Sequence, residues 1–207
     1  MTNLFIAYVA AFFLPALFRS WRVAVLGLGV QGFLLALILA VGHEPWSWLV
    51  AFEFASLFLI RAVLIPWYFI YRMRDFDTTS DFSLISKDLF QWVLAFGLLA
   101  VAFLFGNKMS PQDPQEALQV GTAAGSILIG LQILANQNHP LGQIVGLFTF
   151  EGGVTLVELL SPHAMPFPVR VGVSLVTLIF VLVCGKYLSQ ILAIPPDSNG
   201  IADKEER

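Results

Sequence analysis

The sequence predicts an all-α integral membrane protein of about seven transmembrane helices. Three observations carry this: several apolar runs approach the roughly 20 residues that cross a bilayer, hydrophobic residues make up 57% of the chain against 12% charged, and basic residues fall in alternate loops. A soluble fold is excluded because 207 residues supply too little polar surface to coat so many helices that are apolar on every side.

Turn and charge punctuation places the spans at 4–18, 23–41, 46–71, 89–105, 118–135, 141–160 and 169–194. The first is the shortest. Met1-Thr2-Asn3 before it holds no basic segment and no small-residue cleavage site follows, so it is read as a retained span. The second carries Gly27, Gly29, Gln31 and Gly32. Trp46 and Trp48 open the third, and Trp67, Tyr68 and Tyr71 close it, as interfacial belts or as ordinary packing in a Phe-rich chain. The polar stretch 72–83 then leads to the fourth span, as a cytoplasmic connection or a docking segment. Gly121, Gly125 and Gly130 in the fifth span read as close-packing positions. The turn Asn136-Gln-Asn-His-Pro140 starts the sixth, and Pro195-Pro196 stops the seventh before a polar, disordered tail, 195–207.

Arg19, Arg22, Arg72, Arg74, Lys87, Lys186, Lys204 and Arg207 lie on one side of this arrangement, with only Lys108 and Arg170 opposite. The positive-inside rule therefore puts the N-terminus outside and the C-terminus in the cytoplasm, which requires an odd number of spans. Residues 1–194 form a single transmembrane domain in this reading. Its first half, 1–71, and second half, 118–194, each hold three spans with similar punctuation, as two parallel repeats would, and 89–105 is an extra linker helix.

The motifs for bond chemistry do not occur. Cys184 is the only cysteine, and His43, His139 and His163 fall in three different loops, so neither an iron–sulfur nor a zinc site is expected. The P-loop, the dinucleotide fingerprint and the Ser-His-Asp pattern are also missing. No cofactor, catalytic centre or nucleic-acid partner is expected; any catalysis would be vectorial.

Two residues stand out by their cost. Glu151 lies mid-span between Gly146 and Gly152-Gly153, where a carboxylate costs roughly 2.5–3.5 kcal/mol on the lenient insertion scale and marks a functional position by default. Such an acid is a candidate to exchange a proton near neutrality; a protonated acid joining two helices by a hydrogen bond is the alternative. Arg61 is centred in the third span, beyond snorkelling reach, and needs an anionic or carbonyl partner from another span, Glu151 among them, or from another subunit. It either tunes the acid or locks helices together. Gln31, Glu53, Gln132, Gln143, Thr149, Thr155 and Glu158 complete the candidate proton path. Glu151 and Glu158 are two helical turns apart on nearly one face, about 10 Å along the axis, with Thr155 between them. Glu53 and Glu158 lie nearer the outer surface, where solvation competes with a role in the path. Pro66 is expected to kink the third span, and Gly152-Gly153 to allow close approach or a local π-type distortion in the sixth.

Two segments carry a family resemblance. The run Phe58-Leu-Ile-Arg61-Ala-Val-Leu-Ile-Pro66 and the segment Asn138-His-Pro-Leu-Gly-Gln-Ile-Val-Gly146-Leu-Phe-Thr-Phe-Glu151-Gly-Gly resemble hydrogenase-4 membrane component E. The C-terminal half of that family is similar to the K subunit of bacterial complex I and the C subunit of Mrp-type antiporters. The resemblance implies a membrane-arm subunit of a complex I-like or group-4 hydrogenase-like assembly, in a bacterial inner membrane beside antiporter-like subunits, with Glu151 at the proton-carrying position and Arg61 at a second polar site. Gly152 stands where the family has asparagine, and the acid that some relatives carry in the last span has no counterpart at 172–174. A non-conducting adaptor in such a complex, and a small independent proton-coupled transporter, are the alternatives.

Overall fold

A computed structural model describes residues 1–17, 20–42, 47–73, 84, 89–160 and 166–192. Arg19, His43, Trp46, Arg74, Lys87, His163, Lys204 and Arg207, with most of the 72–83 connection and the tail, lie outside the described residues. Every regular element among those described is helical: α1 (Thr2–Leu17), α2 (Trp21–Gly42), α3 (Trp48–Arg72), α4 (Leu89–Met109), α5 (Pro114–Asn136), α6 (Pro140–Leu160) and α7 (Phe167–Leu192). Helices α2 to α7 are long and apolar enough to cross a membrane, and α1 is a shorter apolar helix of 16 residues. The chain is a multi-pass, all-α membrane protein.

Local chemistry sets the helix starts. Asp113 accepts from the backbone N–H groups of Gln115 (2.8 Å) and Glu116 (3.2 Å) while Pro114 supplies the first turn of α5. Ser47 accepts from Val50 N–H at 3.3 Å and opens α3. Helix α6 opens on Pro140, with His139 Nδ1 accepting the Leu141 N–H at 3.2 Å. Burial pushes the His139 imidazole below its ordinary pKa, in keeping with a ring that must stay neutral to accept.

Helices α2, α5 and α6 form the centre. Within its apolar window 67% of α2 is buried, against 17% for both α4 and α7, so α4 and α7 present most of their side chains outwards to lipid or to a neighbour. Helix α2 packs on α1, α3 and α6; α5 packs on α4, α6 and α1; α7 lies against α3 and, more sparsely, α6. Gly121, Gly125 and Gly130 on α5 meet Phe103, Leu99 and Phe150.

The irregular backbone is in α3, not in α6. Residues Leu57–Leu64 form a π-helical stretch between the α-helical segments Trp48–Ser56 and Ile65–Arg72, and the Ile65 N–H reaches back five residues to the Ile60 carbonyl. Of the two outcomes open at Gly152-Gly153, the π-type distortion does not occur: α6 is α-helical throughout. Proline is the physical reason, since Pro66 has no N–H to donate and its ring crowds the preceding turn, and the wider turn relieves that crowding. The two α6 glycines instead admit neighbours.

Candidate functional site

Helix α3 carries Arg61 to the middle of the bundle because α2 lets it come close. A Cβ on Gly32 would lie 2.6 Å from Arg61 Cβ and 2.7 Å from the Arg61 carbonyl carbon, so the α2 backbone must be bare where the π stretch passes. Arg61 is buried at 7% exposure. Its Nη2 donates to Glu151 Oε1 at 2.7 Å and to Thr155 Oγ1 at 2.8 Å. This is a charge-assisted pair between α3 and α6, and it answers which group neutralises Arg61.

Two hydroxyls brace the pair. Thr155 Oγ donates to the Glu151 carbonyl at 3.0 Å while accepting from Arg61, which fixes its rotor. Thr177 on α7 donates to Glu151 Oε1 at 2.8 Å. Glu151 Oε1 thus receives two donors, whereas Oε2 is buried with no hydrogen-bond partner among the described residues. An unmade bond at a buried carboxylate oxygen is expensive.

A third set of polar groups approaches from α1 and α5. Tyr8, fully buried on α1, lies 3.5 Å from Ser126 Oγ, and Ser126 in turn donates to the Thr149 carbonyl at 2.8 Å. Because the single Ser126 proton is committed to Thr149, Tyr8 is the donor in the first bond. A Cβ on Gly152 would sit 2.6 Å from the Tyr8 oxygen and 3.9 Å from Arg61 Nη1. The bare α6 backbone at Gly152 is therefore what lets the tyrosine hydroxyl stand beside the ion pair. A small pocket next to Arg61, of about 10 Å³ for a water centre, is lined by Gln31, Gly32, Phe148 and Gly152 among others, close to the smallest space that admits one water.

The structure divides the candidate residues into three places. Arg61, Glu151 and Thr155 form the centre, Gln31 lines the pocket beside them, and Thr149 lies close by, its hydroxyl returned to the Val145 carbonyl at 2.9 Å. Towards one membrane end, Glu53 on α3 pairs with Arg170 on α7, and half-buried Glu158 lies within electrostatic reach of Arg61, Glu53 and Glu151. Gln132 and Gln143 belong elsewhere. Gln132 Nε2 donates to the Gln91 carbonyl at 2.9 Å, Gln91 Nε2 donates to Asn136 Oδ1 at 3.1 Å, and Gln143 Nε2 donates to the Gln137 carbonyl at 3.0 Å. These amides tie the start of α4 to the end of α5 and the start of α6, about 12 Å along the axis from Glu151 in the case of Gln143.

Tyr8, Ser126 and Thr177 join the site without having been picked out in the sequence. Each is a lone hydroxyl in an apolar helix, with no spacing to distinguish it; only the position of Thr177 near mid-span of α7 gave a signal. No known protein family, curated protein or solved structure matches this chain.

Proposed function

We propose that the chain is a membrane-arm subunit of a complex I-like assembly, with a group-4 hydrogenase as the leading case, in a bacterial inner membrane. Glu151 is then the group that takes up and releases a proton beside antiporter-like subunits. The observation that carries this reading is the half-satisfied carboxylate: Oε1 holds Arg61 and Thr177, while buried Oε2 has no partner among the described residues. A carboxylate serving only to join helices would present both oxygens to donors. A free second oxygen is where a proton or a bridging water attaches.

The arrangement supports a two-position cycle. Ionised Glu151 holds Arg61; once protonated it gives up the charge that holds the guanidinium, which keeps Thr155 and has the small Gln31-lined pocket alongside. Glu158, two turns on and within the field of both ion pairs, is the next acceptor towards the Glu53–Arg170 end.

A second reading, the non-conducting adaptor, draws on the same bracing, because Thr155 and Thr177 tie the pair to α6 and α7 as a fixed joint would. Glu151→Gln in the assembled complex separates the two. Loss of proton movement with all subunits retained is expected for a carrier; unchanged transport leaves the adaptor. Mild extraction followed by mass spectrometry tests the host: large antiporter-like subunits should stay bound, and recovery of the chain alone and folded would overturn the assembly reading.

A further inference from the structure

A basic and aromatic site lies at the membrane end where α3 and α7 finish, far from the Glu151 pair. The two helices run parallel, since Glu53 meets Arg170 near their starts while Tyr68 meets Leu182 and Gly185 near their ends. Tyr68 donates to the Leu182 carbonyl at 3.4 Å, and its ring packs on the bare backbone of Gly185. The Arg72 guanidinium stands over the same ring, 5.5 Å from the Tyr68 ring centroid. Lys186, adjacent to Gly185, is brought to the same level and is exposed. Among the described residues neither cation has a carboxylate partner.

Trp67 and Tyr71 stack at 6.0 Å beside Arg72, each 62% exposed, and Leu182, one turn in from Lys186, is 48% exposed. Two cations with no carboxylate partner among the described residues, an amphipathic aromatic pair beside them and an apolar wall leading inwards match the three parts of one molecule: an anionic headgroup, its glycerol region and its acyl chains. We infer that the α3–α7 end binds an anionic phospholipid, with the phosphate held between Arg72 and Lys186 and an acyl chain lying along Leu182 and Trp67. Charge complementarity selects this occupant over a zwitterionic lipid, whose own cation would meet the same two positive groups.

The test uses the full chain, purified and delipidated in mild detergent, with native mass spectrometry after addition of phosphatidylglycerol or phosphatidylcholine of identical acyl chains. Phosphatidylglycerol should be retained in a saturable first site and phosphatidylcholine should not. Arg72→Gln with Lys186→Gln should weaken that retention about 10- to 30-fold, the effect of two surface cations. Arg72→Lys with Lys186→Arg keeps both charges and should restore it, which separates lost charge from lost folding. Equal retention of the two lipids, undiminished retention by the double glutamine variant, or displacement of the lipid by millimolar inorganic phosphate alone would each overturn the assignment, the last by showing a phosphate site indifferent to the bilayer. Constitutive occupation of this end by a protein subunit in the intact complex, with no lipid recovered, would overturn it as well.

Discussion

Among the described residues helix α3 makes two ion pairs, and they differ in almost everything except their chemistry. Arg61 pairs with Glu151 at mid-span, far from either membrane surface, and the pair is supported by Thr155, Thr177 and the bare backbones of Gly32 and Gly152. Glu53 pairs with Arg170 near the starts of α3 and α7, where headgroups and water are within reach of both side chains. The centre needs several neighbours to cooperate before a charge can be kept there; the end has solvent and headgroups to share the work. The difference teaches that the cost of desolvation, rather than the attraction between the ions, decides how much surrounding structure a membrane ion pair requires.

Removing one member of the central pair should therefore have the largest effect. Glu151→Leu strands Arg61, which cannot shed its proton, and should cost about 3–5 kcal/mol. Arg61→Leu should cost less, because the carboxylate left behind can become neutral. The double Leu variant should be more stable than Glu151→Leu alone, and thermal unfolding of the four proteins in detergent completes the cycle. Equal effects of the two single changes would break the distinction between centre and end.

Gly32→Ala comes next. The new methyl meets Arg61 backbone rather than a side-chain tip, so α3 must move away from α2 at a cost of about 1–3 kcal/mol. Crosslinking between α2 and α3, or the unfolding midpoint, would report it. At the end, Glu53→Gln should cost about 1 kcal/mol or less, and the loss should shrink in high salt, as it should not for the central pair.

The smallest expected effect lies outside both pairs. The folded-state pKa of His139 is lowered by burial, so its contribution is fully present above its unfolded value of about 6.5 and is lost as pH falls through the depressed folded value. Protonation turns Nδ1 from the acceptor of the Leu141 N–H into a donor. The unfolding midpoint should drop modestly as pH falls below about 6.5, and His139→Asn, which keeps an acceptor, should remove that part of the pH dependence.

The spans were legible because bilayer crossing imposes length and apolarity on each of them independently. All seven helices fall close to the predicted ranges, and α1 is shorter than the others as expected. Arg61 and Glu151 were legible as individuals because each violates the rule its neighbours obey. Of the hydroxyls around them Thr155 was legible too, from its place between Glu151 and Glu158, whereas Thr177 and Tyr8 were not, since they acquire their roles only through the packing of α7 and α1. Gln132 and Gln143 show the converse: polarity marked them, but the structure places Gln132 with Gln91 and Asn136, and Gln143 against the Gln137 carbonyl, away from the central pair. The position of the π turn depended on which of two helix-distorting signals prevails, and a missing N–H at Pro66 outweighs the permissiveness of Gly152-Gly153.

The π stretch also gives α3 a spare residue. A turn that closes one position late holds more chain than its length needs, so an indel there is absorbed locally. Deleting exposed Leu59 lets Leu57–Leu64 tighten into ordinary α-helix while the flanking segments keep their faces. The same deletion at Ala51 has no slack to draw on; it turns the beginning of the span by about 100° relative to the rest. Helix α3 is therefore tolerant of length change beside its most constrained side chain, and intolerant of it where the helix is regular.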